Sequence, residues 1–188
     1  MKKCDITQNS ILASALELFL ENGFGATSVP EIVKRASVAQ GTFYRYFKNK
    51  KACFNRLVEQ LVAIFVEEFH YILEDASENA LITGPARAIS AIRKNKPLIQ
   101  LAIVENRYMD PEMMERLLHL RALVSQDNVK RLIERGDSEW VATLKAQLVN
   151  NLVDSVIVSE VLEGKSELFR GPISTDEMLE SIIYKLKV

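Results

Sequence analysis

The chain has 188 residues, 48% hydrophobic and 26% charged, and a formal net charge of −1. That length supports a substantial core in one large or two small domains. No uncharged apolar run approaches the ~18 residues that cross a bilayer, and Glu17 and Glu21 interrupt the first apolar segment. Neither a membrane span nor a secretory leader is expected, and the expected compartment is the cytoplasm.

Strand-like alternation is scarce, whereas apolar residues recur at helical spacing nearly throughout, so the expected fold class is all-α. Cys4 and Cys53 have no metal-ligand spacing and no histidine cluster beside them, and are expected as free thiols rather than a thiol switch. The charge is uneven. Residues 1–51 carry eight Lys and Arg against four Asp and Glu, a net +4, which leaves −5 on the remainder. A basic N-terminal module on an acidic body suits a nucleic-acid reader with a separate regulatory part.

The first helix is expected from about Thr7 to Asn22, with Ile11, Leu12, Ala15, Leu16, Phe19 and Leu20 on one broad stripe. Gly23 suits a left-handed stop, and Phe24 folds back as an anchor. Lys2 and Lys3 precede it, either along a DNA backbone or in a disordered tail.

The next stretch, TSVPEIVKRASVAQGTFYRYFKNKK from Thr27 to Lys51, reads as two short helices and a tight turn. Thr27 or Ser28 caps the first, Pro30 fits its first turn, and Glu31 complements the positive helix start. Val29, Ile32 and Val33 share its buried face; Ala36, Ser37 and Val38 form the turn. On the second helix, about Ala39 to Phe47, Phe43 and Phe47 point inward as an i, i+4 pair. Gln40, Thr42, Tyr44, Arg45 and Tyr46 then face outward. A phenol can bond a phosphate oxygen, Arg a guanine edge or phosphate, and Gln an adenine, so this outward set has the chemistry of a DNA-facing surface. Gly41 costs roughly 1 kcal/mol against alanine, so close approach to DNA or to a neighbouring helix must need its bare backbone. Lys48, Lys50 and Lys51 surround Asn49, which can cap the following helix at a phosphate-binding end.

At Thr27, Ile32, Val38, Gly41, Thr42, Tyr44, Tyr46, Phe47 and Lys50, with Gly23 and Phe24 upstream, the segment resembles the helix-turn-helix of the TetR family of transcriptional regulators. Ser37 stands where that family usually has the turn glycine. Ala39 stands where a Ser or Thr usually caps the recognition helix. The resemblance implies a DNA-binding head over residues 1–48 and a helical regulatory and dimerisation bundle over 49–188. It further implies a homodimeric regulator, typically a repressor, that binds a pseudo-palindromic operator and is released by a small molecule. Gln40, Thr42, Tyr44 and Arg45, beside Gly41, would meet bases or adjacent phosphates; Thr27, Tyr46, Lys48 and Lys50 would hold the backbone.

A long helix follows, from near Asn49 to about Ala76, striped by Phe54, Leu57, Val58, Leu61, Val62, Phe65, Phe69 and Ile72. At about 40 Å it can leave the head and enter a second bundle. Residues 77–85 break the pattern, with Gly84-Pro85 expected as a stop. Helices are then expected over about Ala86 to Lys94, Pro97 to Tyr108, and Pro111 to Arg135. On the last, Met114, Leu117, Leu118, Val124 and Leu132 are apolar, while Arg121, Ser125 and Asn128 fall near the same side, facing either a cavity or the stripe's wet edge.

The helix expected over Ser138 to Leu162 is apolar on nearly every side from Leu148 onward, and so must be covered all round. A symmetry mate is the cheapest second cover, with Ser155 and Ser159 permitting close packing. Asn150, Asn151 and Asp154 interrupt it, as a polar rim, an interface pair, or a ligand contact facing Arg121. A final helix, Ser174 to about Leu186, opens with Ser174 and Glu177 in capping-box spacing. The expected dimer interface comprises Leu152, Ser155, Val156, Ser159, Leu162, Met178, Ile182 and Ile183.

For a bundle pocket, Phe65, Phe69, Arg107, Tyr108, Met114, Leu117, Arg121, Asn151 and Asp154 are the candidates; such a lining suits a mostly apolar effector with one polar or charged group. The alternative is that the aromatics and methionine are core. No nucleophile, base and orienter converge, and His70 and His119 lack metal-ligand company, so no enzyme, metal or cofactor is expected. A helical enzyme or carrier, and a scaffold whose head binds protein, are the alternatives that salt-sensitive binding to duplex DNA would separate.

Overall fold

The computed structural model describes residues 3–75, 77 and 80–163, and they form an all-α chain. Helix α1 is Lys3–Ala26, α2 Val29–Arg35, α3 Gln40–Tyr46, α4 Lys50–Glu74, α5 Ala80–Lys94 and α6 Lys96–Val104. A 3₁₀ turn, Asn106–Tyr108, leads to α7, Pro111–Glu134, and α8, Glu139–Val156, which passes into a π-turn at Ile157–Leu162. The helix expected from Ser174 lies outside the described residues.

Two compact units emerge, Met1–Val62 with Pro97–Met114, and Ala63–Lys96 with Glu115–Val188. The unit that holds the helix-turn-helix is thus larger than residues 1–48, because it also takes in the start of α4, most of α6 and the 3₁₀ turn.

In the first unit, Ile11, Ala15, Leu18 and Phe19 form the buried line of α1 at i, i+4, i+7, i+8 spacing. Leu18 is buried where the expected stripe had Leu16 and Leu20, which are only half-buried. Ile32 and Val33 of α2, Phe43 and Phe47 around α3, and Phe54, Leu57, Val58 and Leu61 of α4 close the core. Rings bind its centre: Phe24 lies 5.3 Å from Phe19, 5.2 Å from Phe54 and 4.4 Å from Tyr108. Such tilted and edge-on pairs add about 0.5–1.5 kcal/mol each beyond their burial. Cys53 is fully buried beside this cluster in sequence, and burial pushes its thiol up to about 12.

In the second unit, the sequence signals misplace one boundary. Gly84-Pro85, expected as a stop, lies inside α5. Proline forfeits one backbone bond there, but Gly84 lies so close to α4 that a Cβ would come 3.2 Å from Ile72 Cγ2. Burial of Leu81, Ile89 and Ile92 along α5 outweighs the lost bond.

Helix α7 buries only Asn128 and Leu132, and Leu118 is 58% exposed, so the expected apolar stripe is inward only at its C-terminal end. There Leu132 packs with Leu81 and Ala142. Arg131 donates to the Leu73 carbonyl at 2.9 Å and also to that of Asp75, closing the exposed carbonyl end of α4.

In α8, Ala142, Ala146, Val149 and Val156 face inward. The π-turn then inserts extra backbone per turn and keeps Ser159, Glu160 and Val161 inside while Val158 and Leu162 face out. Glu160 is buried against Arg93, at 2.9 and 3.0 Å, with Lys96 at 3.4 Å. The Arg93 bonds hold its carboxyl below the usual range against the opposing effect of burial.

Candidate nucleic-acid interface

Helix α2 is specified locally at both ends. The Ser28 side chain accepts the Glu31 N–H at 3.4 Å, and Glu31 Oε2 accepts the Ser28 N–H at 2.7 Å, a reciprocal capping box. The bonds from Ser28, side chain first and backbone second, lower the Glu31 pKa. At the far end, Val38 N–H reaches the Val33 carbonyl at 3.0 Å and Ser37 N–H that of Lys34 at 3.3 Å. This is a Schellman close, and it holds Ser37 at φ 54°, in the left-handed region usually given to glycine. Serine at this turn is therefore strained. Arg35 grips Glu21 through two bonds at 2.8 and 2.7 Å, which ties α2 to α1.

Helix α3 has no such supports. Ala39 occupies its N-cap without a side-chain bond, as its residue type requires. What seats the helix is Phe43, fully buried, with Phe47 one turn on at a ring distance of 5.5 Å. The outward surface follows from that seating. Gln40, Gly41, Tyr44, Arg45 and Lys48 are exposed, Thr42 and Tyr46 half-buried, and Tyr44 is 52% exposed. Arg45 lies against Tyr46, its guanidinium 5.2 Å from the ring centre and 3.3 Å from the hydroxyl. A methyl group added at Gly41 would meet no atom within 4 Å, so no neighbouring helix requires this glycine.

Two residues assigned to phosphate contact are placed otherwise. Thr27 is 2% exposed, with its hydroxyl 2.9 Å from the Gly23 carbonyl and 3.1 Å from that of Leu18. Its hydroxyl thus ties the chain after α1 back to two carbonyls of that helix. The Lys50 ammonium donates to the carbonyls of Phe24 at 2.5 Å, Thr27 at 2.6 Å and Gly25 at 3.3 Å, and sits 4.4 Å from the Phe24 ring centre. Burial lowers its pKa, opposed by the charges of Glu31 and Glu105. Its role here is to hold the end of α1. Asn49 caps α4 as expected, accepting the Ala52 N–H at 2.8 Å.

A helix-turn-helix of this shape has known counterparts. Residues 11–57 match the family model for bacterial regulatory proteins of the tetR family. The uncharacterised HTH-type transcriptional regulator YvdT of Bacillus subtilis (strain 168) is 44% identical over 181 residues, covering 88% of this chain and 90% of that protein. The chain belongs to the TetR family. It is a transcriptional regulator with a DNA-binding helix-turn-helix, and its relatives are regulators rather than enzymes. The fatty acid metabolism regulator protein of the same organism is 32% identical over 120 residues, 62% of this chain; the chain spans 57% of that protein's length. The TetR-family regulator PfmR from Thermus thermophilus shares the fold, with a TM-score of 0.65, 19% identity, and coverage of 94% of this chain and 96% of that one.

For a TetR-family protein the remaining question is the regulatory part. Of the residues nominated for a pocket, Arg107, Tyr108 and Met114 lie in the first compact unit, where Tyr108 packs on Phe24 and the Arg107 side chain is 70% exposed. In the second unit, Phe65 and Phe69 are half-buried and stack at 5.6 Å, and Leu117 is half-buried. Arg121 pairs with Asp154 at 2.6 Å, Ser125 accepts from Asn150 at 3.0 Å, and Asn151 is exposed. A groove of about 380 Å³ in this unit is lined by Tyr71, Ile72, Glu74, Asp75, Thr83, Gly84 and Arg87, none of them nominated.

The interface expected on α8 also needs correction. Val156 and Ser159 are buried within the chain itself, Val156 on the inward face of α8 and Ser159 because the π-turn directs it inward. Leu152 and Ser155 are half-buried, Leu162 is exposed, and Met178, Ile182 and Ile183 lie outside the described residues. The outward apolar line is instead Trp140, 73% exposed, with Leu144, Leu148, Val158 and Leu162. Sequence reasoning missed Glu105, which reaches the break in α1. The signal was there: Glu105, just past the end of α6, follows Leu101 and Ala102 at i+4 and i+3, in line with the helix's buried face.

Proposed function

We propose that the protein is a homodimeric repressor that holds a pseudo-palindromic operator through α3 and releases it when a small molecule enters the helical body. The observation that carries this reading is the outward face of α3, where Gln40, Thr42, Tyr44 and Arg45 surround a glycine with empty space above it. Bare backbone beside phenol, guanidinium and amide lets a helix press close to a phosphate strand and a groove edge. Tyr46 and Lys48 flank it toward the backbone. Residues 1–48 act as the reading head and 49–188 as the regulatory and dimerising part, working in the cytoplasm.

The dimer reading is supported by the outward line on α8, since an apolar row headed by an indole calls for a cover. For a mostly apolar effector with one charged or polar group, the half-buried Phe65 and Phe69 of the second unit supply apolar surface. The 32%-identical relative is named as a regulator of fatty acid metabolism, and fatty acids belong to that chemical class.

Selection of duplexes from a random DNA pool, followed by binding at increasing salt, tests the head. Affinity should fall steeply with salt, and Tyr44→Ala with Arg45→Ala should abolish recognition of the selected duplex while the dimer persists. Retained affinity would overturn the assignment. Gly41→Ala should stabilise the fold by about 1 kcal/mol or less yet weaken binding to that duplex, two effects of opposite sign that a merely structural glycine would not produce.

A further inference from the structure

We propose that Glu105, far outside the helix-turn-helix, is a positioning residue for operator binding, a role that rests on the DNA-reading function above. Glu105 is 5% exposed, and its Oε1 accepts the Phe24 N–H at 3.0 Å across 81 residues of chain. That amide is the one turned out of the α1 ladder by the non-helical backbone of Gly23, φ 82° and ψ 155°. The glycine and the carboxylate fit each other, since a Cβ at Gly23 would stand 3.1 Å from the same oxygen.

A purely structural role accounts poorly for this choice of residue. Glu105 Oε2 is buried without a hydrogen-bond partner, and the Arg107 guanidinium stands 3.7 Å away on a side chain that is 70% exposed. A buried carboxylate with one oxygen unbonded costs stability rather than adding it. What it does supply is a fixed point. From Phe24 the chain passes through the carbonyls that hold Lys50 and then, one residue after Thr27, into the Ser28 cap of α2. Lys50 opens α4 immediately beyond α3. One carboxylate therefore sets the place where α1 lets go of the chain, and through Lys50 it fixes both ends of the α2–α3 pair. Binding surfaces must be held to about 0.5 Å to remain productive.

The test uses the full-length protein and, as probe, the duplex that it selects from a random DNA pool. Glu105→Leu keeps the buried volume without an acceptor, and Glu105→Gln keeps an acceptor without the charge. Loss of the acceptor should weaken binding by about tenfold or more at a temperature where circular dichroism shows the variant fully folded. Hydrogen exchange at the Phe24 amide should accelerate in the same variant. Glu105→Gln should restore both readouts to within about twofold of the parent. Leu and Gln variants that bind alike, whether both intact or both impaired, would overturn the proposal. If Glu105→Leu does not fold, Glu105→Gln alone decides it: slow exchange at Phe24 with weakened binding would refute the acceptor's role. Failure of the parent protein to select any duplex would refute the DNA-reading function instead, so the two failures are distinct.

Discussion

Helices α2 and α3 are each seven residues long and adjacent, yet they are built in opposite ways. α2 carries a capping box, an acidic first turn, a basic last turn, a Schellman close and a bidentate tie to α1. α3 lacks a side-chain cap, carries a glycine in its first turn, and depends on two buried rings. The difference teaches which helix is strut and which is reader. A strut can spend its polar side chains on its own ends; a reading helix keeps them for an external partner and takes its stability from the opposite face.

The comparison breaks most severely at Phe43. Phe43→Ala should cost about 3–5 kcal/mol, read by chemical denaturation, because only the Phe47 ring would remain to seat α3; a cost near that of a surface change would refute the contrast. Next come the caps, as a mirrored pair. Ser28→Ala should lose about 1 kcal/mol, whereas Ala39→Ser should gain up to about 1 kcal/mol, with melting temperatures moving in opposite directions. Ser37→Gly should likewise stabilise, by about 1 kcal/mol, by relieving the left-handed turn.

The smallest effect is the pH response of the capping box. The folded state lowers the Glu31 pKa from its ordinary 4.5, so its contribution is present above that value and is lost as pH falls through the lower folded value. The stability difference between the parent and Glu31→Gln should therefore shrink on acidification across that window. A constant difference would show that the return bond does not depend on the charge.

The two helices also differ in how far they could be read from the sequence. Ser28, Pro30, Glu31, Lys34 and Arg35 announce α2 in consecutive local signals, and the Phe43–Phe47 spacing gives the buried face of α3. The missing cap at Ala39 and the non-glycine turn at Ser37 were legible too, as departures from a familiar pattern. The TetR-family assignment and the all-α class rested on such local signals.

What escaped was decided by contacts between elements. Thr27 looks like an exposed hydroxyl until the fold buries it against the carbonyls of Gly23 and Leu18, and Lys50 looks like a phosphate-binding cation until carbonyls at the end of α1 claim it. Gly84-Pro85 reads as a stop because its neighbour Ile72 lies more than ten residues back in the chain. The inward turn of Ser159 depends on a π-turn, a shift in backbone register that apolar spacing does not encode.

The Cys53 thiol, sealed in the core and pushed up to about 12, bears on how the protein can be studied. It offers neither access nor thiolate at neutral pH, so maleimide or spin-label reagents should pass it by. With only Cys4 replaced, a reporter cysteine introduced on the outer face of α3 can be tagged selectively and its motion followed on and off DNA.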